Sequence, residues 1–129
     1  MGEFMNISCG VDIIEIERIK SDIEKIGEKF LNRVFTDKEI KYCESKKAQK
    51  YQHYAARFAA KEAALKAVSK YLDDKYSVSW KDFEVENDGQ GRPKINLFNI
   101  NTDNIQNIDI SISHCKLYAM ASVTVLYKD

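Results

Sequence analysis

The sequence predicts an α+β domain in which helices pack on one face of a mainly antiparallel sheet. One short apolar run stands near the start, and the segments after it repeat apolar residues every three or four positions, as helices do. The second half of the chain instead alternates apolar and polar residues, as strands do, with turn-like segments between the runs. This order of one strand, several helices and then four strands favours helices gathered on one sheet.

The first half of the chain begins with a predicted strand followed by short helices. Residues 6–14, NISCGVDII, form an apolar run that we interpret as the strand. The following EIERIKSDIEKI places four isoleucines at helical spacing, and Gly27 ends or kinks this helix. EKFLNRVF is a second short helix, and the capping-box spacing of TDKE, residues 36–39, starts a third.

A long helix is predicted from about residue 48 to residue 71. Its central stretch RFAAKEAALKA, residues 57–67, is rich in alanine, the residue with the highest helix propensity. Large side chains recur along the helix at helical spacing and form its apolar stripe: Tyr51, Tyr54, Phe58, Leu65 and Leu72.

The second half of the chain is predicted to form two hairpins. In WKDFEVENDGQGRPKINLF, the central NDGQG is a turn signal between two alternating runs. NIDISISH and YAMASVTVLY also alternate, and the short HCKL joins them. We therefore expect the chain to end in four strands.

Length and composition indicate one globular domain. The chain has 129 residues, 44% of them hydrophobic, and its 20 basic and 20 acidic side chains cancel. A balanced charge gives no overall attraction to nucleic acid or membranes, and no apolar run approaches the length of a bilayer span. We interpret residues 1–4, MGEF, as a cloning remnant because Met5 follows, and expect a single domain over residues 5–129.

Cysteine usage indicates a reducing compartment. The three cysteines lie far apart, no CxxC occurs and no secretory signal is visible, so we expect a cytoplasmic protein. With two histidines in the chain, a zinc site built from Cys and His is not expected.

Two charged residues on the long helix are candidates for chemistry. Glu62 and Lys66 lie one turn apart on the same face. An ordinary helical ion pair, worth about 0.2–0.5 kcal/mol, also explains this spacing. Lys61 falls within the apolar stripe in the same projection, where its aliphatic chain would have to extend toward solvent.

Asp12 interrupts the apolar run at the end of the first predicted strand. A carboxylate there has to reach solvent, a helix cap or a cation, because burying it unpaired is costly. Capping of the following helix and a functional role are both open from the sequence. Arg18, on that helix, is a surface residue unless a partner binds there.

His114 stands where a predicted strand turns, beside Ser113 and Cys115. A histidine at a turn is compatible with a structural role or a binding role. A serine–histidine nucleophilic pair is disfavoured, because neighbouring residues in a strand point to opposite faces.

Taken together, these residues indicate phosphoryl-group chemistry. Asp12 and Glu62 lie on separate elements and can hold one Mg²⁺, which takes one or two protein carboxylates and keeps water and substrate phosphate as its other ligands. Lys66, one turn beyond Glu62, can then meet a phosphate held by the same ion. The sequence contains no Walker loop and no dinucleotide-binding glycine pattern, so a nucleotide would bind in another way.

Three stretches resemble the signature blocks of the holo-acyl-carrier-protein synthases, the small bacterial members of the phosphopantetheinyl transferases. They are GVDIIEIERI, RFAAKEAALKA and ISISHCKLYAMASV, and they occur in the family's order. The resemblance runs from Met5 to the end of the chain. It implies an enzyme that moves the phosphopantetheine arm of coenzyme A onto a serine of apo acyl carrier protein, releases adenosine 3′,5′-bisphosphate and serves fatty acid synthesis.

The resemblance also implies a role for each matching residue. Asp12 and Glu62 correspond to the ligands of Mg²⁺, and with Lys66 they form the expected catalytic set. We hypothesise that Asp12, directly or through a metal-bound water, takes the proton of the attacking serine. Arg18 corresponds to the residue that docks the acidic carrier protein. The expected coenzyme A contacts are Lys61, Lys66, Ser113, His114 and the GRP turn formed by Gly91, Arg92 and Pro93, which matches the loop near the adenosine end.

The family forms a trimer with sites between subunits, so the resemblance also implies a homotrimer. Two other functions are open. A specialised transferase would modify carriers of polyketide or peptide synthesis, and the sequence does not separate it from the fatty-acid type. A nucleotide-binding regulatory domain without turnover would need no proton acceptor, and the pair Asp12 and Glu62 argues against it.

Overall fold

The computed structural model of the chain describes residues 4–128, so most of the predicted cloning remnant, residues 1–3, lies outside the described residues. The α+β class and both predicted hairpins are confirmed. In chain order the main elements are β1 (Met5–Glu15), α1 (Ile16–Ile26), α2 (Glu28–Val34), α3 (Asp37–Glu44), α4 (Lys50–Val68), β2 (Phe83–Asn87), β3 (Pro93–Leu97), β4 (Ile105–His114) and β5 (Tyr118–Lys128).

The long helix is shorter than predicted: α4 covers Lys50–Val68 instead of residues 48–71. α4 is flanked by single 3₁₀ turns at Lys47–Gln49 and Ser69–Tyr71, which account for the remainder of the predicted helix. Within the part of the chain that the structure describes, no helix is long and apolar enough to cross a membrane.

The strands form two antiparallel sheets rather than one. β5 is the centre of a three-stranded sheet, with β1 on one side and β4 on the other. Its register pairs Gly10 with Val123 and Asp12 with Ala121. The hairpin of β2 and β3 forms a separate two-stranded sheet. Alternation along a strand predicts its two faces but not its neighbours, so this division is not visible in the sequence.

α4 packs its alanine face across the three-stranded sheet. Gly10 of β1 lies directly against the helix backbone, where a Cβ would overlap the carbonyl oxygen of Ala63. Small side chains are required at this contact because the strand and helix backbones approach closely. The buried alanines of the helix are Ala55, Ala56, Ala59, Ala60, Ala63, Ala64 and Ala67.

The stripe of large side chains predicted for the helix is therefore only partly its buried face. Tyr54 is fully buried, whereas Tyr51, Phe58 and Leu65 pack half-buried at the edge of the core. A helical projection that looks for large apolar side chains selects the wrong face of α4. The face that packs most closely on the sheet is the alanine face, because the contact with Gly10 leaves no room for large side chains.

The helix N-termini decide the open interpretation of Asp12. Thr36 caps α3 as predicted: its Oγ1 accepts the Glu39 N–H at 3.3 Å, and Glu39 Oε1 accepts the Thr36 N–H at 2.9 Å. At α1 the N-cap residue is Glu15, without a side-chain capping bond. Asp12 lies inside β1, so the interpretation of Asp12 as a helix cap is wrong.

Candidate active site

β1 and α4 bring Asp12 and Lys66 together. The close contact at Gly10 holds the strand against the helix, and Asp12, two residues on, points to the same side of the sheet. The Lys66 ammonium donates to the Val11 carbonyl oxygen at 2.9 Å and lies 3.4 Å from Asp12 Oδ1. The two side chains are 56% and 21% exposed, so the pair is open to a ligand from solvent.

Glu62 lies one turn before Lys66, but the two do not form the ordinary helical ion pair. Glu62 Oε1 accepts a hydrogen bond from the indole N–H of Trp80 at 2.7 Å, whereas Lys66 pairs with Asp12 of the neighbouring strand. None of the ion pairs among residues 4–128 joins Glu62 to Lys66. The ion-pair explanation of the Glu62–Lys66 spacing is therefore wrong. The carboxylates of Asp12 and Glu62 are each contacted by a donor from another element.

The donor chemistry at this end of β1 fits a hard cation. Among residues 4–128, no group of three or more His, Cys, Asp and Glu side chains is arranged to hold a metal ion. Two carboxylates nevertheless suffice for Mg²⁺, because it retains several waters and takes phosphate oxygens as further ligands. Asp12 and Glu62 are the two carboxylates that the sequence predicts for this ion; in the structure Asp12 contacts Lys66 and Glu62 contacts Trp80.

A second group of predicted residues meets around a different cavity. This cavity, about 180 Å³ in volume, is lined by His114 of β4, by Gly91 of the turn before β3, by Pro93 at the start of β3, and by Arg57 of α4. Gly91 has a positive φ of 81°, which favours glycine. Two residues of the GRP turn and His114 therefore line one cavity, and their roles toward coenzyme A stay predictions.

Arg57 lines this cavity, although the sequence had given it no role in the site. Its side chain is 3% exposed, its Nη2 donates to Asn87 Oδ1 at 2.9 Å, and its guanidinium stacks 4.0 Å from the Tyr42 ring centroid. Its Nε is buried without a hydrogen-bond partner in the described structure. The guanidinium of Arg57 therefore places positive charge at the wall of this cavity, which favours an anionic ligand there.

His53 is a further residue that lines the cavity of Arg57. The ring of His53 lies 6.3 Å from that of His114, centroid to centroid. Burial lowers the pKa of His53, and the nearby charges of Arg57 and Lys46 lower it further. Arg57 was visible in the sequence as part of RFAAKEAALKA, but only its burial shows that it faces a cavity.

The two groups lie on different sides of α4. Arg57 and Glu62 are five residues apart, which corresponds to about 7.5 Å along an ideal helix and about 140° around it. Asp12 and Lys66 belong to the side of Glu62, and His114 belongs to the side of Arg57. In one chain the predicted residues thus form two half-sites.

Lys61 does not have the position expected of a coenzyme A contact. Its side chain is 0% exposed, and its ammonium forms an ion pair with Glu39 Oε1 at 2.6 Å. It also donates to the carbonyl oxygens of Trp80 and Phe83 at 3.1 and 2.5 Å. All of these partners are protein groups, so the structure assigns Lys61 to the interior, where it ties α4 to α3 and to the start of β2.

Three remaining predicted residues are exposed. Arg18 lies on the surface of α1. The Arg92 side chain is exposed in the GRP turn, and the backbone N–H of Arg92 donates to Asp88 Oδ1 at 2.9 Å. Ser113 pairs with the exposed Met120 and His114 with the buried Ala119, so the two side chains leave opposite faces of β4. Ser113 lines a shallow hollow with Ile13 and Met120 on the outer face of the sheet.

Comparison with known sequences identifies the family. The model of the 4′-phosphopantetheinyl transferase superfamily matches residues 8–122. A holo-[acyl-carrier-protein] synthase of Ruminiclostridium cellulolyticum is 42% identical over 130 residues, covering 97% of this chain and 96% of the relative. Another, from Thermodesulfovibrio yellowstonii, is 47% identical over 116 residues and covers 90% of this chain and 95% of the relative.

Solved structures agree with the sequence comparison. The holo-[acyl-carrier-protein] synthase of Helicobacter pylori in complex with coenzyme A matches with a TM-score of 0.78 and 33% identity, over 91% of this chain and 98% of that one. The Bacillus anthracis protein in complex with CoA (3′,5′-ADP) matches with a TM-score of 0.78 and 34% identity, over 96% and 99% of the two chains. The chain therefore belongs to the 4′-phosphopantetheinyl transferase superfamily and, within it, to the holo-acyl-carrier-protein synthases.

Proposed function

We propose that this chain transfers the 4′-phosphopantetheine group of coenzyme A to a serine of apo acyl carrier protein in the cytoplasm, for fatty acid synthesis. The other product is adenosine 3′,5′-bisphosphate. The observation that carries the proposal is the meeting of Asp12 and Lys66 where β1 crosses α4, one helical turn from Glu62. The relatives named for this activity and the similar structures with coenzyme A support it. The catalytic domain is residues 5–129.

Charge neutralisation is the first requirement of this reaction, because the oxygens of a diphosphate repel an incoming nucleophile. Asp12 and Glu62 are the residues that would hold Mg²⁺, which when bound supplies positive charge to those oxygens. The Lys66 ammonium is half-exposed beside Asp12, so it is available to contact a phosphate. There it stabilises the negative charge that develops on the departing phosphate.

Proton transfer is the second requirement. A bond forms between the carrier serine Oγ and the phosphorus next to the pantetheine, and the bond from that phosphorus to the bridging oxygen breaks. The bridging oxygen leaves with the adenosine bisphosphate. Asp12 is the carboxylate at this end of β1 that contacts Lys66, and it accepts the hydroxyl proton of the serine.

The adenosine end of coenzyme A is assigned to the cavity of Arg57 and His114. The 3′-phosphate is an anion, and the guanidinium of Arg57 at the wall of this cavity would attract it. His114 and the GRP turn line the same cavity, which agrees with their predicted roles. Lys61 is not part of this proposal, because its ammonium is bound inside the protein.

A homotrimer with shared sites is supported by the outer face of the three-stranded sheet. This face exposes large apolar side chains from β1 and β5: Ile7, Val11, Ile13, Tyr118 and Met120. A contiguous exposed apolar surface is typical of an association site. Assembly through it would complete the active site if the Arg57 half-site of one subunit met the Asp12 half-site of its neighbour. The exposed Arg18 on α1 is the residue proposed to dock the acidic carrier protein.

The direct test is to incubate the purified chain with coenzyme A, Mg²⁺ and an apo acyl carrier protein. A mass gain of the carrier equal to one phosphopantetheine supports the proposal, and no gain with any carrier contradicts it. Comparing fatty-acid carriers with carriers of polyketide or peptide synthesis separates the two transferase types. Removal of the divalent cation with a chelator should stop the transfer, and addition of Mg²⁺ should restore it.

Asp12→Ala tests the proton-acceptor role. We expect transfer to fall about 10²–10⁴-fold, the usual contribution of a general base, or further if the cation is also lost. The thermal unfolding midpoint should stay close to that of the wild type, because Asp12 is partly exposed and only paired with an exposed lysine. Near-normal transfer by a folded Asp12→Ala variant would discard this role.

A further inference from the structure

Trp80 is held against one stretch of α4 by three separate contacts. Its indole N–H donates to Glu62 Oε1 at 2.7 Å, and its carbonyl oxygen accepts from the Lys61 ammonium at 3.1 Å. Its ring packs on that of Phe58, with centroids 6.0 Å apart and planes inclined by 33°. Trp80 starts the 3₁₀ turn Trp80–Asp82 just before β2, so these contacts join that turn to the helix.

The backbone anchor of Trp80 is itself rigidly held. The Lys61 ammonium that binds its carbonyl is fully buried and paired with Glu39. Glu39 in turn accepts the backbone N–H of Val85 in β2 at 2.8 Å. The backbone of Trp80 is therefore fixed to the interior, and this fixes the direction in which its indole N–H points toward Glu62.

A fixed N–H restricts the carboxylate that receives it. Indole is a donor only, so its bond to Glu62 has a single sense. The bond engages one oxygen, Oε1, and so limits the rotation of the carboxylate while leaving Oε2 for another ligand. Trp80 and Glu62 also line the same cavity of about 480 Å³, so the carboxylate is held at the wall of an open space.

We propose that Trp80 is a positioning residue for the cation site: it orients the Glu62 carboxylate through its indole N–H. The inference rests on the proposed function, in which Glu62 is one of the two Mg²⁺ ligands. Outer partners of metal ligands typically change metal affinity about 10- to 100-fold when they are removed. Trp80 touches neither the substrate phosphates nor the reacting atoms in this assignment.

The composition of the chain makes the test selective, because Trp80 is its single tryptophan. Replacing tryptophan during expression with the benzothiophene analogue, in which sulfur takes the place of the indole N–H, changes this position alone and keeps the ring shape. Trp80→Phe is a second variant that removes the same donor. Phe58→Leu is the matched control, because it removes the packed ring and keeps the N–H.

Mg²⁺ binding is measured by titration calorimetry in the presence of coenzyme A, and transfer is measured over a range of Mg²⁺ concentrations. We expect both Trp80 replacements to weaken Mg²⁺ binding about 10- to 100-fold, with transfer at saturating Mg²⁺ largely restored. Phe58→Leu should bind Mg²⁺ as the wild type does. In the wild type, Mg²⁺ should also change the Trp80 fluorescence with the same concentration dependence as transfer.

Several results would overturn the inference, and they separate it from the proposed function. Wild-type Mg²⁺ affinity in both the benzothiophene protein and Trp80→Phe refutes the role of Trp80 and leaves the transferase proposal intact. Equal weakening in Phe58→Leu assigns the effect to packing and refutes the role of the N–H. If the wild-type protein transfers at full rate without a divalent cation and binds none, the cation site fails, and the inference fails with it.

Discussion

Lys61→Met tests whether the lysine in the middle of α4 supports the fold or binds coenzyme A. Burial lowers the pKa of Lys61, and the carboxylate of Glu39, 2.6 Å away, acts in the opposite direction. Methionine is close in length to the lysine side chain but leaves the Glu39 carboxylate buried without its counter-charge. The carbonyl oxygens of Trp80 and Phe83 also lose their donor. Removing one partner of a buried ion pair typically costs about 3–5 kcal/mol.

The assay is urea unfolding of four variants next to the wild type: Lys61→Met, Glu39→Gln, the double variant of these two, and Lys66→Met. Lys61→Met should lose about 3–5 kcal/mol of unfolding free energy, and the double variant Lys61→Met with Glu39→Gln should lose less, because no unpaired charge stays buried. Lys66→Met is the matched control on the same helix. Its lysine is 56% exposed, so its stability should change by no more than about 0.5 kcal/mol, while its transfer activity falls.

The reasoning is refuted by the opposite pattern. If Lys61→Met is as stable as the wild type and its KM for coenzyme A rises tenfold or more, Lys61 is a substrate contact after all, as the sequence reasoning expected. The ion-pair explanation would also be contradicted if the double variant lost more unfolding free energy than the two single variants lose when their losses are added.

Two further substitutions address the other half-site and the assembly. Arg57→Gln should raise the KM for coenzyme A about 10- to 100-fold, the value of a charge-assisted contact. It should hardly change the KM for 3′-dephospho-coenzyme A, which lacks the 3′-phosphate. Equal effects on both substrates would exclude the 3′-phosphate as the ligand of Arg57. Ile13→Lys places a charge on the exposed apolar face of β1. It should prevent the proposed homotrimer from forming, so that sedimentation shows smaller species and transfer is lost. A wild-type protein that sediments as a fully active monomer would exclude shared sites.

The predictable part of the fold came from local patterns. Isoleucine spacing, the Thr36 capping box and the alternation before and after HCKL depend on residues close in sequence, and the structure confirms each of them. The buried face of α4 was misjudged because it depends on the contact with Gly10, 53 positions before Ala63. A distant neighbour decides how close two backbones come, and local side-chain size does not reveal it.

The site shows the same division. Residue type and spacing, together with the family resemblance, selected Asp12, Glu62, Lys66 and His114 as candidates, because carboxylates, an amine and an imidazole each have a limited chemistry. Their partners were not predictable. Lys61 looks like a ligand-binding residue until Glu39 is found beside it, and Trp80 looks like a core residue until its N–H is found on Glu62.

The order of residues alone determined the class of fold, the enzyme family and which acidic and basic groups are proposed for the site. Only the folded chain decided which of the charged side chains of α4 are buried, which element each one contacts and that the candidate residues fall into two groups on opposite parts of that helix. The reason is physical: a side chain's chemical groups are a property of its residue, whereas its solvation, charge partners and direction depend on segments that are brought together only by folding.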